Sequence, residues 1–143
     1  MKKFLITILL SFIIGGSLAF MAYRKMMKVQ KVSSSFKDCY ILQGGVFKTL
    51  DNANNMADNY GGVVFQDNDY YRVYLAILTS DNTLSLVENY YDKQNISYYP
   101  KKINIDSSLY NTLNNYEMML LNVKEEQYKE VINQMLKEYE KTL

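Results

Sequence analysis

An α+β fold on a four-stranded antiparallel sheet is predicted by three features of the sequence. Residues 69–78, DYYRVYLAIL, alternate with a period of two, the spacing of a strand with two different faces. Residues 51–60 and 80–95 carry apolar side chains at helical spacing. Strand-like and helical segments then succeed one another in the order β-α-β-β-α-β between residues 39 and 105, the split βαβ arrangement.

Each element has its own local reason. Residues 39–47, CYILQGGVF, read as a strand interrupted by Gly44 and Gly45, which suits a bulge or the close approach of another backbone. Ala53, Met56, Ala57 and Tyr60 make the inner face of the first helix. Thr49 or Asp51 is its N-cap, and Gly61-Gly62 its stop. Residues 63–66, VVFQ, are a short strand, and Asp67-Asn68-Asp69 turns it into residues 70–78 as a hairpin. Ser80-Asp81-Asn82 opens a second helix with Leu84, Val87, Tyr90 and Tyr91 inward, ending near Asn95. Residues 96–105, ISYYPKKINI, are the last strand, where Pro100 marks an edge or a bulge. This is the order of an RNP or ferredoxin-like sheet with both helices on the Tyr71, Val73, Leu75 and Ile77 side. The opposite face, with Tyr70, Arg72, Tyr74 and Ala76, is then expected to stay open.

Flanking segments complete the chain. Residues 1–3 are a short basic N-terminus, and residues 4–23, FLITILLSFIIGGSLAFMAY, form an uncharged apolar run with the ~20 residues a bilayer-spanning helix needs. Ser17-Leu18-Ala19 resembles a signal-peptide cleavage site, but the apolar run continues past it, so a retained anchor is expected. Arg24, Lys25, Lys28 and Lys31 come directly after the run and, by the positive-inside rule alone, favour a cytoplasmic C-terminal part. A very short basic N-terminus ahead of a first apolar segment is instead the layout of a signal anchor that exports its C-terminal part. Residues 24–37 are a basic linker reaching no further than about 50 Å, with charge suited to anionic headgroups. Residues 38–105 are the folded module. Residues 106–143 read as a helical extension capped by Asp106 or Ser107. Its apolar phase breaks near Lys124, the mark of a kink, two helices or a stutter. Docking on its own module, a protein partner and self-association are the three uses of such a segment.

Composition excludes several functions. Sixteen basic residues against fifteen acidic ones give a net charge of +1, which gives no support to a dominant phosphate-binding role. Histidine is absent, which removes imidazole chemistry and histidine metal sites. Cys39 is the single cysteine, so there is neither an internal disulfide nor a thiolate cluster. No enzyme, metal or cofactor is expected, because no nucleophile–base pair or glycosidase carboxylate pair is recognisable.

At Tyr40-Ile-Leu-Gln-Gly-Gly-Val-Phe47, Asn52-Ala53-Asn54 and Tyr70-Tyr71-Arg72-Val73, the chain resembles the SPOR domain family. In that family a strand of the form aromatic-x-V-Q-x-G-x-F opens the fold and a later aromatic-x-R-V strand crosses its middle. The likeness runs from about residue 40 to residue 105. It departs at Val46, where a small polar residue often stands, and at Ala76-Ile77, where Gly-Pro is common. The resemblance implies binding of peptidoglycan glycan strands stripped of their stem peptides, and localisation at division or sporulation septa. By position, it carries Gln43, Tyr70 and Arg72 over as glycan-contacting residues.

The chemistry of these side chains agrees with that expectation. A phenol ring offers rigid contact area to the C–H face of a pyranose and a polar tip to its hydroxyls. Gln43 supplies a donor and an acceptor. Arg72 supplies a planar fork suited to a lactyl carboxylate. Tyr74 lies on the same face as Tyr70 and Arg72, and Tyr98 extends the platform if its alternation points outward. The bland alternatives are that the tyrosines cover the sheet or pack under the C-terminal helices, that Arg72 pairs with Asp69 or Glu88, and that Gln43 satisfies backbone at the bulge. Because that glycan exists only outside the cell, a single-pass protein of the cell membrane with its C-terminal module extracytoplasmic is expected. The rival is a membrane-anchored adaptor of the division or sporulation machinery, working through residues 106–143 with a vestigial sheet face. A sheet of this topology also serves RNA binding, but the RNP signature is missing and the module is not basic, so no nucleic acid partner is expected.

Overall fold

Residues 70–78 form a strand because their alternation buries one set of side chains, and the flanking turn residues set where its neighbours lie. The computed structural model describes residues 35–143; the expected span at 4–23 and all but the end of the linker lie outside the described residues. The elements are β1 (Phe36–Phe47), α1 (Leu50–Tyr60), β2 (Val63–Asp67), β3 (Tyr70–Leu78), α2 (Asp81–Lys93), β4 (Tyr99–Asp106), α3 (Ser107–Leu120), a 3-10 turn (Glu125–Gln127) and α4 (Tyr128–Glu140). The fold is α+β, and its sheet has the order β2-β3-β1-β4 with every neighbouring pair antiparallel. Pro100 lies on edge strand β4, where a missing N–H does least harm. No helix among the described residues is long and apolar enough to cross a membrane.

Side-chain caps start the helices where the sequence places them. Thr49 accepts from the Asn52 N–H, Ser80 from that of Thr83 and Asp106 from that of Ser108, each replacing a bond that the first helical turn lacks. Gly61 ends α1 with φ of 77°, a conformation that costs glycine nothing. Asn68 in the hairpin and Asn95 after α2 hold φ of 53° and 56°, within asparagine's tolerance for the left-handed region.

The central pairing of β1 with β3 keeps one register from Tyr40↔Leu78 to Phe47↔Tyr71, broken only around Gln43 and Gly44. A Cβ on Gly44 would sit 2.6 Å from Met56 Cε and 2.9 Å from Leu75 Cγ. Glycine here lets α1 approach the sheet on the Leu75 side. β1 begins at Phe36, earlier than the alternation suggests, because β4 pairs with it as far as Asp106. Ser107 extends the tie with a backbone bond to the Ser35 carbonyl.

Of the readings open for residues 106–143, two helices is the one observed: the chain leaves α3 at Leu120, makes the 3-10 turn and returns as α4, which packs against α3. The phase break near Lys124 is that turn. The expectation of an open face opposite Leu75 is corrected: it is not open along its whole length. Leu75, Ala76, Ile77 and Leu78 are all fully buried, and since successive strand residues point to opposite sides, both faces of this half of β3 are covered. α4 packs against β3 and β2, and its Met135 and Leu136 belong to the same core. On α2, Tyr91 donates its hydroxyl to the Leu75 carbonyl at 2.8 Å, beyond the point where β2 stops pairing with β3.

Candidate functional site

Register brings the sequence-matched residues to one face. Arg72 pairs with Val46 of β1 and with Phe65 of β2, and Gln43 pairs with Tyr74. The local irregularity at Gln43 turns its side chain toward Arg72, whose Nη1 donates to Gln43 Oε1 at 3.3 Å. Tyr70 lies two residues from Arg72 on the same strand and so on the same side, and is 45% exposed. Gln43, Tyr70 and Arg72 therefore form one accessible group, with the exposed Val46 beside it.

Arg72 is held by a partner that the alternation of β3 does not show. Its Nε donates to Asp67 Oδ2 at 2.6 Å, with the guanidine side chain 29% exposed and the carboxylate side chain 45%. The partner is thus Asp67, in place of Asp69 or Glu88. Exposed pairs of this kind contribute little stability; what this one does is fix the plane of the guanidinium. Asp67 Oδ1 also accepts from Asn68 Nδ2 at 3.1 Å. The carboxylate, the guanidinium and the Gln43 amide form a chain of three fixed polar groups.

Tyr74 does not join the accessible group. Its ring lies 4.8 Å from Phe65 and 6.5 Å from Tyr139 of α4, and Tyr139 sits edge-on to Phe65 at 5.7 Å. Burial pushes the phenols of Tyr74 and Tyr139 above the ordinary tyrosine range. These three rings wall off one end of the face. Tyr98 is also set apart, because β4 begins one residue later, at Tyr99. Its ring packs on Tyr91, and its hydroxyl donates to Asp92 of α2 at 3.0 Å. Desolvation, then that bond to the carboxylate, push its phenol up to about 12.

Sequence reasoning misses two features of the site. Asp67 reads as turn chemistry, although alternation along β2 puts it on the side of Phe65 and hence of Arg72. Tyr139 reads locally only as part of the apolar stripe of the last helix, and its meeting with Tyr74 and Phe65 depends on how α4 docks.

No family model matches the chain, and no curated protein does. Among solved structures, the chain is similar to the solution structure of the peptidoglycan binding domain of the B. subtilis cell wall lytic enzyme CwlC. The two share 24% sequence identity over 54% of this chain and 99% of that one, with a TM-score of 0.39, below the level of a shared overall fold.

Proposed function

We propose that the chain is a membrane-anchored, extracytoplasmic module that binds peptidoglycan glycan through the Gln43, Tyr70 and Arg72 face and so localises to septa. The observation that carries the reading is the 3.3 Å contact between Arg72 and Gln43. It joins two residues that are 29 positions apart and sets them beside an exposed tyrosine. A flat ring with convergent donors and acceptors is what a pyranose requires. The apolar run at 4–23 and the resemblance of residues 40–105 to SPOR domains support the anchor and the ligand respectively.

The test is retention of the full chain, in mild detergent, on sacculi stripped of stem peptides. Retention should fall at least tenfold in Tyr70→Ala and in Arg72→Ala. A wild-type chain that stays in solution, or variants retained as well as it is, would overturn the reading. A fluorescent fusion that spreads evenly over the cell would remove the septal part alone. The adaptor reading is favoured by one separate observation, the exposed Met118, Met119 and Leu121 at the end of α3, and it predicts localisation without retention on sacculi.

A further inference from the structure

We infer that this face reads the neutral groups of a glycan, its hydroxyls and acetamido carbonyls, and draws no affinity from a ligand carboxylate. The inference rests on the glycan-binding reading above and specifies its substrate class. From the sequence, the Arg72 fork is free to take a lactyl carboxylate in two parallel bonds. In the structure the Nε edge of the fork and one Nη1 N–H are already engaged, and the charge is compensated by Asp67. Nε holds Asp67 Oδ2 at 2.6 Å, and Nη1 holds Gln43 Oε1 at 3.3 Å. An incoming carboxylate would meet a guanidinium whose charge is already compensated and would sit beside the Asp67 anion. Like charges brought together on one cation repel, and displacing Asp67 would exchange one carboxylate for another with no net gain.

What the trio still offers is suited to uncharged partners. Gln43 Oε1 is taken by Arg72, which leaves the amide N–H groups of Gln43 as donors, the match for an acetamido carbonyl. Asp67 Oδ1 and Oδ2 each accept one bond, from Asn68 Nδ2 and Arg72 Nε. A carboxylate oxygen has room for a second, which suits a sugar hydroxyl. Tyr70 supplies the ring on which the C–H face of the sugar rests.

Two ligands differing in one group test this: stem-peptide-free glycan strands in native form, and the same strands with their lactyl carboxylates converted to amides. Titrated into the full chain in detergent micelles, the two should bind with dissociation constants less than fivefold apart. Asp67→Asn frees the guanidinium, so this variant should prefer the native strands by fivefold or more. A preference of fivefold or more for native strands in the wild-type chain overturns the inference and leaves glycan binding standing. Binding of neither strand overturns both. An unchanged ratio in Asp67→Asn overturns the compensating role given to Asp67.

Discussion

Replacing Glu117 by alanine tests whether the C-terminal helices are an integral part of the module. Glu117 lies on α3 and is 2% exposed. Its Oε1 accepts the backbone N–H of Thr79, just past the end of β3, and its Oε2 accepts the Ser80 hydroxyl at 3.0 Å. Ser80 is the N-cap of α2, where its Oγ accepts the Thr83 N–H at 3.3 Å. One carboxylate therefore joins three elements: α3, the end of β3 and the start of α2. Its removal strands the Thr79 N–H at a position only 7% exposed, which costs about 1–3 kcal/mol. It also loosens the cap, worth about 1 kcal/mol, and leaves a gap where the side chain packed. Relief of the carboxylate's desolvation offsets part of this. The expected loss is about 3 kcal/mol, a sizeable fraction of a domain's total stability. Glu117→Gln keeps the acceptor for Thr79 and should lose about 1 kcal/mol.

The assay is urea unfolding of residues 35–143 monitored by circular dichroism, with the midpoint read at constant slope. A combined Glu117→Ala, Ser80→Ala variant closes a cycle whose coupling term should be about 1 kcal/mol. If Glu117→Ala loses less than about 1 kcal/mol, the hairpin of α3 and α4 is only loosely attached. If Gln is as costly as Ala, the charge matters and the geometry described does not.

Gly61→Ala should lose about 1–2 kcal/mol, because φ of 77° places an L side chain in the left-handed region. The neighbouring Lys129 Cε, 2.8 Å from the new Cβ, can swing away, so a loss near zero in the same urea assay would refute backbone strain as the cause. Cys39 predicts alkaline sensitivity. Burial, then the nearby Glu117 and Asp38 carboxylates, push its thiol up from 9.0 to about 12. The folded chain keeps this proton while the unfolded chain releases it, so the contribution to stability is complete below about pH 9 and is lost as pH rises toward 12. By pH 10.5 the wild-type chain should have lost about 2 kcal/mol that Cys39→Ala does not lose. Parallel losses in the two proteins between pH 8 and pH 10.5 would sink the argument.

Local chemistry makes most of the sheet legible. The hairpin at Asn68, the caps at Thr49 and Ser80 and the stop at Gly61 are decided by residues within a few positions of each other, so composition reports them. Strand ends are less local. Residues 96–105 read as one strand, yet β4 begins at Tyr99, and Tyr98 instead packs on Tyr91 and donates its hydroxyl to Asp92 of α2, contacts that depend on where α2 lies. Arg72 is legible as a site residue, but its partner is not, because the choice among Asp67, Asp69 and Glu88 depends on strand register. Gln43 shows the reverse. Regular alternation would put it on the Leu75 side of β1, and the irregularity made possible by Gly44 sends it to the Arg72 side, where the motif resemblance expects it.

The extent of the accessible face is set by where a helix stops. Along β3, the side opposite Leu75 presents Tyr70, Arg72, Tyr74, Ala76 and Leu78 in turn, and periodicity alone treats these positions alike. Ala76 and Leu78 are fully buried, while Tyr70 is not. The change comes at Tyr74, whose ring meets Tyr139, and α4 ends at Glu140, the next residue. The same chain thus commits one half of the face to its core and leaves the other half to solvent. The half left out holds the charge-compensated Arg72 with Asp67 and Gln43, polar groups whose burial would cost more than an apolar helix could return. Sorting along this strand is therefore longitudinal as well as facial: the alanine and leucine take the helix, and the arginine and tyrosine keep the water.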